Sequence, residues 1–396
     1  MAIVSFIILF VYLITMSALL VGFLKTPKFI LPKNPPKTRF SIIIPFRNEA
    51  ENLPELLDSL QKINYPPHLF EIIFVDDASN DGSVKCIEEF FILKSTSTLR
   101  HAQCNAADSL TNSVNFQIIK NKRFSASPKK DAITKAISIA SHEWIVTTDA
   151  DCVVPETWLQ SYDAVIQQKN LVFIAGPVCY SSENLVLDKF QQMDGLSLQL
   201  VAAGSIGLKI PTLCNGANVA YKKECFEKIN GFANNNHIAS GDDTFMLQNM
   251  KFNFPKKLLW FKSKSNIVTT KTTKGFNAII DQRVRWASKV SVENLVSVGL
   301  GFIVFLVNTF LLIGAFWCFL QNEFLPFYVL FLFLKLLIDI IVLVTSGRFF
   351  NIKINGIYFL TSALMYPFIT VLVVLKSFRG NHIWKGRTFK NNAKLN

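Results

Sequence analysis

The chain has 396 residues, half of them hydrophobic, with 36 Phe and only 17% charged residues. Because a soluble domain carries about 25% charged residues, this composition disfavours a wholly soluble protein, and it excludes a disordered one. The 41 basic against 28 acidic residues suit anionic partners such as nucleotide diphosphates, lipid surfaces or nucleic acid. Seven Cys without a CxxC pair and five His disfavour disulfide scaffolds and zinc sites and favour a reducing compartment.

The first segment of the chain, residues 2–24, is uncharged and apolar. As a helix it would be about 34 Å long at ~1.5 Å per residue, enough to cross a bilayer. Basic residues without an acid follow it, namely Lys25, Lys28, Lys33, Lys37 and Arg39. This asymmetry places the next domain in the cytoplasm. The alternative is a cleaved signal peptide, but the segment lacks a basic n-region and its apolar stretch is too long.

Three further apolar segments lie near the carboxyl end, at residues 295–320, 324–344 and 357–375, and each is long enough to span a bilayer. Lys335 and Asp339 are four residues apart and share a helix face. We interpret them as an ion pair inside the bundle, with a transport site as the alternative.

The charges of the carboxyl-terminal tail conflict with this count of spans. One helix before the domain and three after it leave the tail outside, whereas positive charges favour the inside. The tail holds no acid, and its basic residues are Lys376, Arg379, Lys385, Arg387, Lys390 and Lys394. Either the segment with Pro367 is re-entrant, or another span is misread, or the tail is exported. These alternatives stay open.

Between the apolar ends, the sequence predicts a soluble α/β domain. Short β-branched runs at residues 40–44 and 71–75 flank a helical stretch at 49–63, an alternation that indicates a parallel sheet. Further strand candidates are residues 116–119, 144–148 and 171–175, and the polar stretch 95–115 is predicted to be a surface loop. The domains expected are 1–24, 25–39, 40–290, 291–376 and 377–396.

Polar clusters follow the predicted strands. Pro45, Arg47 and Glu49 follow the first strand, and the second and fourth strands lead into acidic turns that contain Asp76 and Asp77, and Asp149 and Asp151. Ligands of open parallel sheets bind outside the carboxyl ends of the strands. Any one cluster is explained by the abundance of Asp and Asn in turns. The presence of three such clusters at the ends of predicted strands favours a ligand-binding site.

Asp149 and Asp151, one residue apart, are suited to bind a hard cation, Mg²⁺ or Mn²⁺, which would be shared with substrate phosphates. The chain contains no GxGxxG and no Gly-Lys-Ser or Gly-Lys-Thr, which disfavours dinucleotide enzymes and P-loop NTPases. Asp242 and Asp243 precede a helical stretch at 245–250, so one acid is expected to cap this helix and the other to act as a general base. Capping alone is the alternative.

Gln282, Arg285 and Trp286 lie shortly before the carboxyl-terminal apolar segments. The planar guanidinium of Arg285 suits phosphate oxygens. Trp286 offers an apolar face for a sugar ring, or it anchors the chain at the bilayer surface.

Taken in order, these motifs resemble the membrane-bound branch of the family 2 glycosyltransferases, which have the GT-A fold. That branch includes cellulose, chitin, hyaluronan and nodulation chito-oligosaccharide synthases. The resemblance extends from about residue 40 to residue 286. It rests on Ile-Pro-Phe-Arg-Asn-Glu, Val-Asp-Asp-Ala-Ser-x-Asp-Gly, Lys-Lys-Asp-Ala-Ile-x-x-Ala-Ile, Asp-Ala-Asp, Gly-Ala-Asn, Gly-Asp-Asp and Gln-x-x-Arg-Trp. It implies a mixed, mainly parallel sheet between helices, with flanking transmembrane helices.

The resemblance also implies a function for each matching residue. Pro45, Arg47 and Glu49 would border the nucleotide, and Asp77, beside Asp76, would bind the uracil imide. Asp149 would face the donor and Asp151 would ligate the metal. The remaining assignments are Lys130 near the diphosphate, Gly216, Ala217 and Asn218 in the donor or acceptor pocket, Asp243 as base, and Gln282, Arg285 and Trp286 at the diphosphate and acceptor.

This chain departs from the family pattern at two positions. Asp242 replaces the commoner Glu, which leaves open which of the two acids, Asp242 or Asp243, is the base. Ser127 and Pro128 replace the usual Gly-rich segment before Lys129 and Lys130, which leaves the phosphate role of Lys130 open.

The function implied is an inverting hexosyl- or N-acetylhexosaminyl-transferase that moves a sugar from a nucleotide-diphosphate donor, a UDP-sugar, to a lipid-linked or glycan acceptor. It would be an integral protein of the bacterial inner or plasma membrane type, in contact with membrane lipids, with a cytoplasmic catalytic domain and no nucleic-acid partner. The alternatives are a metal-dependent nucleotidyl- or phospho-sugar transferase and a non-catalytic membrane scaffold or transporter.

Overall fold

The computed structural model describes residues 2–31, 34–102, 114–183, 185–236, 238, 240–288, 295–378, 381–384 and 387–390. Its strands are β1 (Phe40–Phe46), β2 (Phe70–Asp76), β3 (Asn115–Lys120), β4 (Trp144–Thr147), β5 (Cys152–Val153), β6 (Phe173–Ala175), β7 (Val178–Tyr180), β8 (Val219–Lys222), β9 (Leu258–Trp260), β10 (Val268–Thr270), β11 (Asn381–Trp384) and β12 (Arg387–Lys390). Its α-helices are α1 (Ala2–Lys25), α2 (Leu53–Gln61), α3 (Ser83–Ala102), α4 (Pro128–Ile139), α5 (Trp158–Gln168), α6 (Val186–Gly207), α7 (Lys223–Lys228), α8 (Asp242–Asn253), α9 (Phe276–Ala287), α10 (Leu295–Leu320), α11 (Leu325–Phe350) and α12 (Gly356–Ser377).

The chain divides into two compact units, each made of separate stretches of sequence. The sheet unit comprises Lys28–Val178 and Cys214–Lys271. The helical unit comprises Met1–Pro27, Cys179–Leu213 and Thr272–Asn396. The predicted domain 40–290 is therefore distributed over both units, because α6 and α9 pack with the apolar helices α1, α11 and α12.

The sheet unit is built on a seven-stranded mixed sheet in the order β3-β2-β1-β4-β8-β6-β9. The pairs formed by β3, β2, β1 and β4 are parallel, β8 is antiparallel to both of its neighbours, and β6 and β9 are parallel. This mixed, mainly parallel sheet between helices confirms the predicted fold class. The register pairs Phe46 with Asp76, so the carboxyl ends of β1 and β2 lie side by side.

The strands form where the sequence has β-branched and aromatic runs, and their side chains are buried. β2 is buried along its whole length, and in β1 only Pro45 is partly exposed. Pairing of β1 with β4 ends at Ile43, two residues before Pro45, so the N–H that proline lacks costs no hydrogen bond in that ladder. Apolar residues of α2 are spaced three and four apart and complete this core, with Leu53, Leu56, Leu57 and Leu60 buried.

In the helical unit, α1 and α6 cross at small residues. A Cβ added at Gly22 of α1 would collide with the carbonyl oxygen of Gly204 in α6. Conversely, a Cβ added at Gly204 would collide with the carbonyl oxygen of Leu19 in α1. A Cβ added at Gly207 would collide with the carbonyl oxygen of Gly22. The missing side chains are what allow the two backbones to approach so closely, as small residues do at membrane helix crossings.

Four of the described helices are long and apolar enough to cross a membrane, namely Ile3–Lys25, Leu295–Leu320, Asn322–Phe350 and Gly356–Ser377. They coincide with the four predicted spans. Pro367 lies inside the continuous helix α12 and does not interrupt it. Of the basic tail residues, Arg379, Lys385 and Lys394 lie outside the described residues.

The predicted pair of charges on α11 is present. Lys335 Nζ lies 2.8 Å from Asp339 Oδ2, and Tyr12 of α1 donates its hydroxyl to Asp339 Oδ1 at 2.6 Å. Lys335 is buried. The two charges therefore neutralise each other inside the helical unit, and the tyrosine ties them to the first helix.

Two expectations about the chain between residues 83 and 207 differ from the structure. Residues 95–102, expected in a surface loop, continue helix α3, and residues 103–113 of that expected loop lie outside the described residues. Helix α6, 22 residues long, was not predicted. Its scattered polar and small residues gave no clear helical periodicity in the sequence.

Candidate functional site

The turns that follow β1 and β2 hold each other in place. Arg47 Nη1 donates to the carbonyl oxygens of Asp77 and Ala78, both at 2.6 Å. Asn48 and Ala78 adopt positive φ angles, 51° and 59°, which non-glycine residues rarely do. Asn48 Oδ1 accepts a hydrogen bond from Asn80 N at 2.9 Å, so the two turns are joined from both sides. This network fixes the acidic turn at the carboxyl edge of the sheet.

Asp77 is the carboxylate that this turn presents. Its Oδ1 accepts hydrogen bonds from Asn121 Nδ2 at 2.9 Å and Arg123 Nε at 3.2 Å, and its Oδ2 accepts one from Arg123 Nη2 at 3.0 Å. The Asp77 side chain is nearly buried, whereas that of Arg123 is 43% exposed. Asn121 and Arg123 were not predicted as site residues, although both lie within three residues of the end of β3 and thus share the carboxyl edge of the sheet.

Asp76 and Glu49 have contacts within the turns. Asp76 Oδ1 accepts a hydrogen bond from Ser79 N at 2.9 Å, and Glu49 Oε2 accepts one from Asn52 Nδ2 at 2.8 Å before α2. Both side chains are buried. These bonds shape the loops. The prediction that Pro45, Arg47 and Glu49 border a nucleotide, with Asp76 beside Asp77, stays a prediction.

Helix α4 begins at this edge. The hydroxyl of Ser127 accepts a hydrogen bond from Lys130 N, and Pro128 occupies the first turn, a regular helix start. Asn121 Nδ2, which binds Asp77, also donates to the carbonyl oxygen of Pro128 at 3.0 Å. The end of β2 and the start of α4 are therefore joined through one side chain.

The two adjacent lysines of α4 have different environments. Lys130 is completely buried, and its Nζ donates to the carbonyl oxygens of Asn235 at 2.8 Å and Ile238 at 3.1 Å, 5.0 Å from the ring centre of Phe245. These contacts hold the Lys130 side chain within the sheet unit, and the prediction that it lies near the diphosphate stays a prediction. The lysine that faces the acids is Lys129, which the sequence analysis did not select.

Lys129 connects two acidic motifs that are distant in sequence. Its Nζ lies 2.6 Å from Asp149 Oδ1, after β4, and 3.6 Å from Asp242 Oδ2, at the start of α8. Burial lowers the pKa of the Lys129 ammonium, but the carboxylates of Asp149 and Asp242 more than offset this and hold that pKa above its ordinary value. Lys129 is therefore a cation at neutral pH.

Asp243 lies beside this cluster, next to Gly216. Its Oδ2 accepts a hydrogen bond from Gly216 N at 3.2 Å, and its Oδ1 accepts one from Thr244 N at 2.7 Å. A Cβ at Gly216 would lie 3.3 Å from Asp242 Oδ2, a slightly tight contact, and 3.5 Å from Lys129 Nζ, so Gly216 lies directly beside both charged groups. The predicted residues Gly216, Asp242, Asp243 and Asp149 are thus brought together.

Asn218, predicted to line the donor or acceptor pocket, is a buried residue of the sheet unit whose side chain forms hydrogen bonds with several segments. Its Oδ1 accepts hydrogen bonds from Trp158 Nε1 at 2.9 Å and Tyr162 Oη at 2.7 Å, and its Nδ2 donates to the carbonyl oxygens of Pro177 and Asn266. The residue is fully buried. Its amide oxygen and nitrogen both take part in these bonds, and the prediction that Asn218 lines the donor or acceptor pocket stays a prediction.

Gln282, Arg285 and Trp286 lie on α9 in the helical unit. Their neighbour Arg283 is buried, with Nη2 2.6 Å from Asp194 Oδ2 of α6, and its guanidinium lies 5.7 Å from the ring centre of Trp286. This ion pair fixes the rotation of α9 within that unit. The predicted contacts of Gln282, Arg285 and Trp286 with diphosphate and acceptor stay predictions.

Asp149 and Asp151 supply the oxygen ligands that Mg²⁺ and Mn²⁺ prefer. Asp149 Oδ1 accepts from Lys129, and Asp151 Oδ1 is 3.6 Å from the thiol of Cys152. Within the part of the chain that the structure describes, no three His, Cys, Asp or Glu side chains form a metal cluster. Where substrate phosphates and waters complete the coordination, one or two carboxylates from the protein suffice. The prediction that Asp149 and Asp151 bind a metal ion stays a prediction.

A solved structure resembles this architecture over nearly its whole length. It is the mannosyltransferase PcManGT from Pyrobaculum calidifontis in complex with GDP-Man and Mn2+, with a TM-score of 0.53 and 16% sequence identity. The match covers 95% of this chain and 96% of that chain. At this identity the similarity concerns the fold, and the present chain has the GT-A fold.

Residues 41–251, more than half of the chain, match glycosyl transferase family 2. The chain belongs to this family, which confirms the resemblance found in the sequence. The matched range includes the acids after β2 and β4 and both acids at the start of α8.

Individual relatives are more distant. The chain is 25% identical over 130 residues to the poly(ribitol-phosphate) beta-N-acetylglucosaminyltransferase TarS of Staphylococcus aureus strain Mu50, a match over 33% of this chain and 19% of that protein. It is 30% identical over 118 residues to the undecaprenyl-phosphate 4-deoxy-4-formamido-L-arabinose transferase of Proteus mirabilis, over 30% of each chain. The chain thus spans less than a third of the length of either relative.

Proposed function

We propose that the chain is an inverting glycosyltransferase that moves a sugar from a nucleoside-diphosphate donor, a UDP-sugar, to a lipid-linked or glycan acceptor at a membrane. The observation that carries this proposal is the joining of three acidic motifs at the carboxyl edge of the sheet. Asn121 links Asp77 to the start of α4, and Lys129 links that start to Asp149 and Asp242.

The relatives support the proposed substrates. PcManGT is in complex with a nucleotide sugar, TarS is named as an N-acetylglucosaminyltransferase, and the Proteus mirabilis relative is named for a polyprenyl phosphate. The four long apolar helices fit an acceptor that is held in a membrane. We propose that the sheet unit lies on the cytoplasmic side, since the residues that follow α1 are basic.

For the donor, we propose that the Asp77 carboxylate accepts a hydrogen bond from the imide N–H of the uracil base. Arg123 and Asn121 hold this carboxylate in one orientation, which reduces the cost of ordering it on binding. Asp151 and Asp149 would hold Mg²⁺ or Mn²⁺, which when bound supplies Lewis-acid stabilisation of charge on the diphosphate.

For the chemistry, we propose that Asp243 takes the proton of the acceptor hydroxyl as a general base. The hydroxyl oxygen forms a bond to the anomeric carbon while the bond from that carbon to the diphosphate oxygen breaks. The nucleoside diphosphate leaves with the bonding electrons, and a single displacement inverts the anomeric configuration. Asp242 is the weaker candidate because its Oδ2 lies 3.6 Å from the Lys129 ammonium, which opposes proton uptake. Asp243 accepts hydrogen bonds from neutral N–H groups, although the charge of Lys129 also acts on it.

The test uses the full chain, purified in detergent, with Mn²⁺ and a panel of UDP- and GDP-sugars, and it measures release of nucleoside diphosphate. Asp243→Asn should lower turnover at least about 100-fold, as for loss of a general base. Asp58→Asn, an exposed acid of α2, is the matched control and should leave turnover unchanged.

Each competing function has its own outcome in this assay. Equal turnover of wild type and Asp243→Asn would remove Asp243 from the base role, and Asp242→Asn would then identify the alternative base. Release of pyrophosphate would indicate a nucleotidyltransferase. A folded protein that turns over no donor, and whose cellular function survives loss of these acids, would indicate a scaffold or transporter.

A further inference from the structure

The Lys129 ammonium lies where a cation shared by two acidic motifs would lie. It is 2.6 Å from a carboxylate oxygen of Asp149 and 3.6 Å from one of Asp242, and a Cβ added at Gly216 would lie 3.5 Å from it. Two carboxylates that both lie within 4 Å of one ammonium would repel each other in a partly buried site if that positive charge were absent. Here the protein itself supplies that charge.

Lys129 is not needed to build the local fold in the way that Lys130 is. Lys130 is completely buried and saturates two backbone carbonyls, whereas the Lys129 side chain is 23% exposed and contacts carboxylates of two different loops. The adjacent lysines therefore have separate functions, a structural one for Lys130 and an electrostatic one for Lys129.

We propose that Lys129 is a positioning residue that acts as the built-in counter-ion of Asp149 and Asp242. Its ammonium neutralises Asp242 and also Asp149, which is one of the two carboxylates proposed above to hold the metal. This keeps a divalent cation from binding at Asp149 without a nucleotide and makes metal binding depend on the phosphates of that nucleotide. The inference rests on the proposed function only for the identity of that nucleotide.

The experiment measures Mn²⁺ binding to the purified full chain, from the electron paramagnetic resonance signal of unbound Mn²⁺, with and without UDP. Wild type should bind Mn²⁺ weakly alone and more tightly with UDP. Lys129→Met keeps the apolar part of the side chain and removes the positive charge that lies within 4 Å of Asp149 and Asp242. Without UDP, this variant should bind Mn²⁺ about tenfold more tightly than wild type does. UDP should then add less to the affinity.

Three further variants test the cause. Lys129→Arg retains the charge and should behave as wild type, and so should Lys135→Met, an exposed lysine of the same helix. Asp149→Asn added to Lys129→Met should restore weak binding. Thermal unfolding of each variant verifies that it is folded.

The inference is overturned if Lys129→Met binds Mn²⁺ as wild type does, if Lys129→Arg behaves like Lys129→Met, or if wild type already binds Mn²⁺ tightly without UDP. None of these measurements needs turnover. If UDP does not strengthen Mn²⁺ binding to wild type while Lys129→Met alone binds it more tightly, the proposed donor is wrong and the counter-ion function of Lys129 stands.

Discussion

Asn121 Nδ2 lies 2.9 Å from Asp77 Oδ1 and donates a hydrogen bond to it. The same nitrogen donates a hydrogen bond to the carbonyl oxygen of Pro128, the residue before Lys129. The side-chain amide of Asn121 therefore connects Asp77 to the backbone next to Lys129. A change at Asp77 is therefore expected to reach the start of α4.

Asp77→Asn should weaken UDP binding at least about tenfold, because the acceptor proposed for the uracil imide loses its charge and one of the two carboxylate oxygens that accept hydrogen bonds from Arg123. Isothermal titration with UDP measures the effect. Lys122→Ala, an exposed lysine close in sequence to Arg123, is the control and should leave the affinity unchanged. Unchanged UDP affinity in a folded Asp77→Asn protein would contradict the assignment.

Asn218→Leu should lower the free energy of unfolding of the sheet unit by about 2–4 kcal/mol, because it leaves the buried donors of Trp158 and Tyr162 without an acceptor. Thermal unfolding followed by tryptophan fluorescence measures this change. Asn253→Leu, at an exposed position of α8, should change stability by less than about 0.5 kcal/mol. If Asn218→Leu instead abolishes UDP binding at unchanged stability, the pocket assignment made from the sequence is right.

Stability should depend on pH through Lys262, whose side chain is buried and whose carbonyl oxygen accepts a hydrogen bond from Phe29 N. Burial, with a contribution from Lys28, lowers the pKa of Lys262 to about 8 from its ordinary value of 10.5. The unfolded chain therefore keeps this proton at a pH where the folded chain has released it. Stability should rise as the pH increases from about 8 to 10.5.

Lys262→Met should remove that rise and should be more stable than wild type at pH 7, where the folded protein otherwise holds a buried charge. Melting temperatures between pH 7 and 10.5 provide the comparison. Lys264→Met, an exposed lysine two residues along, should retain the wild-type slope. If the melting temperature of Lys262→Met rises with pH as steeply as that of wild type, a group other than Lys262 causes the rise.

Much of the fold and part of the candidate site could be predicted from local patterns. β1 and β2 are runs of β-branched and aromatic residues that end in polar turns, so their carboxyl ends could be located within one or two residues. Once the strands are taken as parallel, the acids at Asp77 and Asp149 follow at one edge. The four apolar helices needed only length and composition.

The features that could not be predicted depend on packing. Lys129 and Lys130 are adjacent and chemically identical, and only the rotation of α4 about its axis decides which one meets the acids. Residues 95–102 have weak helix formers, but a helix begun at Ser83 continues because each added residue costs little once the helix is nucleated. Asn218 is buried because Trp158 and Tyr162 of α5 meet it, a contact between distant segments.

The close crossing of α1 and α6 limits how the chain can be shortened. Any contiguous piece that contains both stretches of the sheet unit also contains α6, whose Gly204 and Gly207 lie against carbonyl oxygens of α1. A piece that runs from residue 28 to residue 271 lacks α1, α11 and α12, so it carries α6 without the helices that α6 packs against. Expression of the sheet unit as a water-soluble fragment therefore requires replacement of residues 179–213 by a short polar linker, rather than trimming at the two ends.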